Sequence, residues 1–375
     1  MVYVLQCKYE DYGLRRNARV SNSQKGTHGS REVRLNLKGH LPAYSSSLLY
    51  YACHGPSCKA LEIWQNMLSS FIAVDTCLVV RLIFIYGNMQ QDFDMVSRIL
   101  HDMQAKDAES LPGIYALAVS SFGEIGDLKC MEYMVKKMVS MGYCVDSATG
   151  NAYLMYYGSF GSITEMERIY GRLKRSRIVI EEEAIRAVSL AYIKESKFYS
   201  LCGFVHDLGV GRSDVGNLLW NLLLLCYAAR FKMKSLQREF VRMIEWGFKP
   251  DIDTFNIRSI AFSRMSLLWD LEVSLEQMKH DGVVGDLVTY GCVIDAYMDR
   301  KLGGNLEFGL RGLDWSDGVR VWTDPMVFEA MGKGEFHSSS EKLMEYWKEG
   351  GWSYRKLIHV YLRKKSRSDH IFWNY

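Results

Sequence analysis

Two asparagines carry the first hint of chemistry. Asn221 and Asn256 stand 35 residues apart, each directly behind an aromatic residue, Trp220 and Phe255. Each is followed by an aspartate that closes a Gly-x-x-x-Asp run: Gly247-Phe248-Lys249-Pro250-Asp251 and Gly282-Val283-Val284-Gly285-Asp286. A carboxamide both donates and accepts hydrogen bonds, so it suits recognition of a polar partner rather than bond breaking. Signals for catalysis are missing. Cys53-His54 with Cys58 is the one tight Cys/His cluster, a zinc site would need a fourth ligand, and packing is the plainer account of it. His206-Asp207 lacks a nucleophile at a familiar spacing, and there is neither a Walker loop nor a carboxylate pair set for acid–base work. No cofactor, metal or small-molecule substrate is expected.

The residues around these asparagines define the elements that carry them. Met233, Leu236, Phe240 and Met243 recur at the same offsets as Leu268, Leu271, Leu275 and Met278. The spacing i, i+3, i+7, i+10 is one face of an α-helix. Stepping back in 35s gives repeats at 41–75, 77–111, 112–146, 147–181, 182–216, 217–251 and 252–286, with Thr76 as a single extra residue and a partial repeat at 287–300. The stripe reappears as Ala60, Trp64, Met67; as Phe93, Val96, Leu100, Met103; as Leu128, Met131, Val135, Met138; as Ile163, Met166, Tyr170, Leu173; and as Phe198, Leu201, Val205, Leu208. Only Ser57 breaks the apolar rule. These stripes read as core. Each repeat divides into a first helix with small and aromatic residues, as over 115–122, and a second helix with the stripe. A break separates them, often with glycine, as at Gly55, Gly126 and Gly161. One such pair cannot bury both faces, but a stack can, so an all-α solenoid of helix-turn-helix repeats with a hollow inner wall is expected.

Composition is compatible with that architecture. Of 375 residues 48% are apolar, which argues against wholesale disorder, and five prolines suit a helical chain. A net charge of +3 permits a nucleic-acid partner without arguing for one. Nine cysteines lie scattered with no CxxC pair, as in a reducing compartment. No apolar run approaches the roughly 20 residues of a membrane helix, so no membrane partner is expected.

The ends of the chain differ from the repeats. Residues 1–40 are rich in Arg, Lys, Ser, Gly and Asn, with Arg15, Arg16 and Arg19 ahead of Ser21 and Ser23. That suits an organelle transit segment or an ordinary disordered N-terminus. Residues 301–323 read as a loop or hinge. Asp324-Pro325 reads as an N-cap with proline in the first helical turn, opening a helical C-terminal cap over 324–375. Arg355, Lys356, Arg363, Lys364 and Lys365 crowd one predicted helix of that cap. They suit phosphate contact or, as the plainer account, a solvated face near a helix C-terminus.

The aromatic-Asn start, the stripe and the Gly-x-x-x-Asp close, in a 35-residue phase, resemble the pentatricopeptide repeat (PPR) proteins of the pure 35-residue class, whose superhelix is right-handed. The resemblance implies roles for particular side chains. The fifth residue of a repeat would face the edge of one RNA base, the last would help orient it, and second residues of adjacent repeats would clamp it. Asn221 with Asp251 and Asn256 with Asp286 then match the uracil combination. Ser45 with Asp75 resembles the guanine combination, and Asn151 with Glu181 keeps the pyrimidine-type amide with a longer acid. Arg81 with Leu111 and Arg186 with Gly216 match no base-reading pair, but such arginines could reach phosphates. Leu78, Leu218 and Val288 suit base faces at the clamp positions, whereas Glu183 and Asp253 would repel phosphate. The implied footprint, 5′ to 3′, is G, two unread, a pyrimidine, one unread, then two uracils. By the same resemblance the chain would bind single-stranded RNA in a plant organelle, nearer the chloroplast members than the mitochondrial ones. It would act in transcript processing, group II intron splicing, stabilisation or translation without catalysis, beside other RNA-processing or splicing proteins. The HxE and PCxxC signature of the editing domain carried by some relatives is missing. The alternative is an α-solenoid scaffold for protein partners within an organellar ribonucleoprotein.

Overall fold

The computed structural model describes residues 33–70, 73–286, 288–289, 291–293, 296 and 322–331, with side chains from Tyr44 onward. Among the described residues there are helices and turns and no strand. They form two compact lobes, one ending at Val179 and the other beginning at Ile180. The first lobe holds α1 (Val33–His54), α2 (Ser57–Ser69), α3 (Thr76–Phe84, continued by a π-helical turn), α4 (Phe93–Lys106), α5 (Leu111–Glu124), α6 (Leu128–Ser140), α7 (Ser147–Phe160) and α8 (Ile163–Arg175). The second holds α9 (Glu182–Lys194), α10 (Phe198–Leu208), α11 (Leu218–Ala229), α12 (Met233–Glu245), α13 (Ile252–Arg264), α14 (Leu268–His280) and α15 (Pro325–Met331). Helix α1 starts at Val33, upstream of the expected boundary at Leu41; Arg34, Leu35, Leu37 and Lys38 are good helix formers.

Within each lobe a first helix packs on its own second helix and on the first helix of a neighbouring repeat, as in α5 with α6 and α7, and α13 with α14 and α11. The stripe provides the glue. Its second member is buried in all seven repeats: Ala60, Val96, Met131, Met166, Leu201, Leu236 and Leu271 are each at most 1% exposed. The aromatic ahead of the fifth position is sealed as well at Tyr115, Trp220 and Phe255.

Helix ends repeat in the same phase. A left-handed residue separates the two helices at Gln91, Gly126, Ser196, Phe231 and Ser266, so glycine is not required for the turn. A second left-handed residue closes the repeat at Gly142, Arg177, Gly247 and Gly282. After it, the N–H of Tyr143, Ile178, Phe248 or Val283 donates to the carbonyl of the last stripe residue, which satisfies an otherwise orphaned acceptor. The aspartate that follows then caps the next helix: Asp146 accepts from the Thr149 N–H and Asp251 from the Thr254 N–H. The repeat at 182–216 departs from this scheme. Helix α10 ends at Leu208, Gly209 takes the positive φ, and a 3-10 turn spans Ser213–Val215.

Close packing between first helices gives a test. At Gly123 on α5 a Cβ would lie 2.0 Å from Cδ2 and 2.5 Å from Cγ of Tyr156 on α7. Gly123→Ala is expected to destabilise the protein by about 1–3 kcal/mol through overpacking. Gly203→Ala on α10, where a Cβ meets nothing within 4 Å, should stabilise it by about 0.5–1 kcal/mol. Urea denaturation of both variants checks the contrast, and equal effects would contradict the packing described.

Candidate nucleic-acid interface

In the second lobe the paired asparagines and aspartates meet. Asn221, inside α11, donates through Nδ2 to Asp251 Oδ1 at 3.0 Å and accepts through Oδ1 from Thr254 Oγ1 at 2.6 Å. Asn217 Nδ2 adds a bond to Asp251 Oδ2 at 2.9 Å. Asn256, inside α13, repeats the pattern one repeat on. Its Nδ2 donates to Asp286 Oδ1 at 2.9 Å, and its Oδ1 accepts from Thr289 Oγ1 at 2.7 Å. In both cases the aspartate caps the following helix and orients the amide of the preceding one. The threonines that complete each network were not singled out from sequence. Their signal was the Asp-x-x-Thr spacing of a helix cap, at Asp251-Thr254 and Asp286-Thr289.

The two amides differ in access. Asn221 borders a cavity of about 160 Å³, together with Glu182, Arg186, Leu218, Asp251, Asp253 and Asp324. Asn256 is wholly buried, because a distant segment covers it. Thr323 Oγ1 accepts from Asn256 Nδ2 at 2.7 Å and donates to Asp286 Oδ2 at 2.7 Å. The Trp322 and Thr323 N–H groups, both at 3.0 Å, converge on the same carboxylate oxygen. The Asp324 N–H donates to Asp253 Oδ1 at 2.6 Å, and the Asp324 carboxylate pairs with Arg186, which also holds Glu182 at 2.9 Å. Asp324 then starts α15 by accepting from the Met326 N–H at 2.9 Å, as the Asp-Pro pair predicts. Helix α15 lies against α9, α11 and α13, the first helices of three successive repeats, with Met326, Val327, Ala330 and Met331 buried.

The acids here act on one another. Burial pushes the Asp253 carboxyl up to about 7, the Asp324 N–H opposes that rise, and the Asp251, Asp324 and Asp286 carboxylates add to it. Arg186 and Glu182 face the same space from α9. A carboxyl raised in the folded state contributes stability that is full below the ordinary carboxyl range and lost as the pH rises through about 7. The second lobe should therefore melt at a lower temperature near pH 8 than near pH 5. Asp253→Asn should shrink that difference, and an unchanged pH dependence would remove Asp253 as its source.

The other expected readers are placed as follows. Asn151 is buried in α7, donating to Ser147 O at 3.0 Å and Val179 O at 2.9 Å, and Glu181 is exposed at the start of α9. Ser45 is half-buried in α1, and Asp75 is exposed and caps α3 through the Cys77 N–H. Leu78, Leu218 and Val288 are buried and Arg81 is half-buried. Arg355, Lys356, Arg363, Lys364 and Lys365 lie outside the described residues, as do the rest of the expected cap and residues 1–32. Among the described residues no group of three His, Cys, Asp or Glu is placed to hold a metal ion, and none of their helices is long and apolar enough to cross a membrane. His54, of the Cys/His cluster, stacks on Tyr50 with ring centres 5.5 Å apart.

Comparison with known proteins agrees with the repeat reading. No family model matches the chain. A chloroplastic pentatricopeptide repeat-containing protein of Arabidopsis thaliana is 29% identical over 182 residues, covering 46% of this chain and 36% of that protein. A second from the same plant is 25% identical over 155 residues, covering 40% of this chain and 18% of that protein. A third, also chloroplastic, is 27% identical over 103 residues, covering 28% and 11%. This chain thus spans about a third or less of the relatives it matches. Among solved structures, the maize pentatricopeptide repeat protein PPR10 aligns with a TM-score of 0.45 and 16% identity, over 85% of this chain and 51% of that one. PPR10 in complex with an 18-nt psaJ RNA element gives a TM-score of 0.40 and 17% identity, over 82% and 52%.

Proposed function

We propose that this chain, which belongs to the pentatricopeptide repeat family by its repeat phase and its curated relatives, binds single-stranded RNA through the fifth and last residues of its repeats. The observation that carries the proposal is the geometry of two successive repeats. An amide on a first helix is held by the closing aspartate of its own repeat, at 3.0 Å for Asn221 and 2.9 Å for Asn256. An amide locked in this way presents a fixed donor–acceptor pattern, which is what discrimination between base edges needs. Each stacked base would add on the order of 1–3 kcal/mol. Binding without catalysis is the mode of action proposed, in a chloroplast or otherwise a mitochondrion, in support of transcript processing, intron splicing, stabilisation or translation.

Selection from a random single-stranded RNA library by the full chain tests this reading. Enriched sequences should carry a G, a central pyrimidine and a pair of uridines in the implied order. Asn256→Ser should move one position from uridine toward guanosine. Absence of any enrichment would reject it.

A second reading has one observation in its favour. The face of α9, α11 and α13 already holds a peptide, segment 322–331, and carries Glu182, Asp251 and Asp253 against Arg186. A scaffold for protein partners would use such a face, and it would retain protein partners in a pull-down treated with ribonuclease.

A further inference from the structure

Segment 322–331 sits where an RNA segment would have to lie. Taking the RNA reading as its premise, we propose that this segment is a built-in competitor: it occupies the reader face of α9, α11 and α13 and must leave before a nucleotide can reach Asn256 or Arg186.

Three contacts, in two repeats, support this. At the repeat 252–286, Thr323 offers the asparagine an acceptor and the aspartate a donor through one hydroxyl. That is the same donor–acceptor complement a polar base edge would offer, so hydroxyl and base compete for identical atoms. At the repeat 182–216, the fifth residue Arg186 is taken by the Asp324 carboxylate. An anion there stands where a phosphate would otherwise pair with the guanidinium. Between them, the clamp residue Asp253 accepts the Asp324 N–H at 2.6 Å. Asp253 Oδ1 supplies the acceptor that this peptide N–H uses. Helix α15 extends the cover by burying Met326, Val327, Ala330 and Met331 on the first helices. Asn221 keeps an open cavity beside it, so the competitor blocks the repeats unequally. The sealing of Asn256 follows from the same contacts: its amide is saturated by Asp286, Thr289 and Thr323.

The competitor lowers apparent affinity by the fraction of molecules in which the face is free. The test uses the full chain and two variants outside the reader positions. Val327→Asp places a carboxylate at a buried position lining the same cavity as Asp253 and should expel α15. Thr323→Val keeps the shape and removes the bridging hydroxyl. Binding of a labelled single-stranded oligouridine should tighten by about tenfold or more in Val327→Asp and by a smaller factor in Thr323→Val. Library selection with Val327→Asp should strengthen the last uridine, the one assigned to Asn256, relative to the uridine assigned to Asn221. Hydrogen exchange supplies a readout that does not depend on either variant's folding. The Thr323 and Asp324 amides should be protected in the free chain and exposed once oligouridine is bound. Equal affinities and equal motifs in all three chains, or protection that persists with RNA bound, would overturn the competitor while leaving RNA binding in place. Failure of every form to bind RNA would overturn the RNA reading, and this inference with it.

Discussion

Asp286→Ala is expected to cost the second lobe about 3–4 kcal/mol, the largest single loss in the chain. The carboxylate is 1% exposed, and among the described residues N–H and O–H donors hold it. Oδ1 accepts from Asn256 Nδ2, from the Val288 N–H at 2.9 Å and from the Thr289 N–H at 3.2 Å. Oδ2 accepts from the Trp322 and Thr323 N–H groups and the Thr323 hydroxyl. Alanine takes the acceptor from the buried Val288, Thr289 and Thr323 N–H groups, and each buried donor left without a partner costs about 1–3 kcal/mol before the structure relaxes. Asp75→Ala is the control. That aspartate is exposed and caps α3 through one 3.1 Å bond, so its loss should cost about 0.5–1 kcal/mol. Asp286→Asn should fall between the two, keeping an oxygen for the helix start while turning an N–H₂ toward the donors of segment 322–324. Urea denaturation of the three variants decides the matter, and an Asp286→Ala loss no larger than that of Asp75→Ala would refute the network's weight.

Arg258 gives the second large effect, with a sign that depends on the replacement. It lies on α13, 2% exposed, with its guanidinium carbon 3.6 Å from the centre of the Phe240 ring and 5.5 Å from that of Phe262. Gln277 Oε1 accepts from Nη1 at 3.0 Å, and Nε has no partner among the described residues. Burial pulls the guanidinium down to about 10, so its charge is maintained at a cost. Arg258→Ala removes the stem that fills the space over Phe240 and should destabilise by about 2–4 kcal/mol. Arg258→Met keeps most of that volume and deletes the buried charge, so it should be neutral or stabilising by about 1 kcal/mol or more. Thermal melting of both variants tests this. A loss in Arg258→Met as large as in Arg258→Ala would mean that the cation over the rings, rather than the packing, carries the stability.

Much of the fold was legible because it is local. A helical stripe is a matter of spacing, and Leu236 and Leu271 are buried wherever a neighbouring repeat exists to cover them. Helix ends are local as well. Gly247 and Gly282 supply a left-handed residue, and Asp251 caps the next helix within three residues. Glycine at the turn inside each repeat was a poorer guide. Gln91, Ser196, Phe231 and Ser266 take the same positive φ, since the packing of the two helices around the turn imposes it. The start of α1 at Val33 was missed because a short apolar period is not needed where helix propensity is already high.

The pairing of Asn221 with Asp251 and of Asn256 with Asp286 was likewise expressed in the sequence, since a constant phase returns the same residues to the same relative positions. What the sequence could not express is which groups those amides meet next. Thr323 reaches Asn256 across 67 positions, and Asp324 reaches Arg186 across 138. No periodicity links such residues. Their meeting depends on tertiary placement, and only the tertiary structure decided that segment 322–331 lies over the face that carries Asn256 and Arg186.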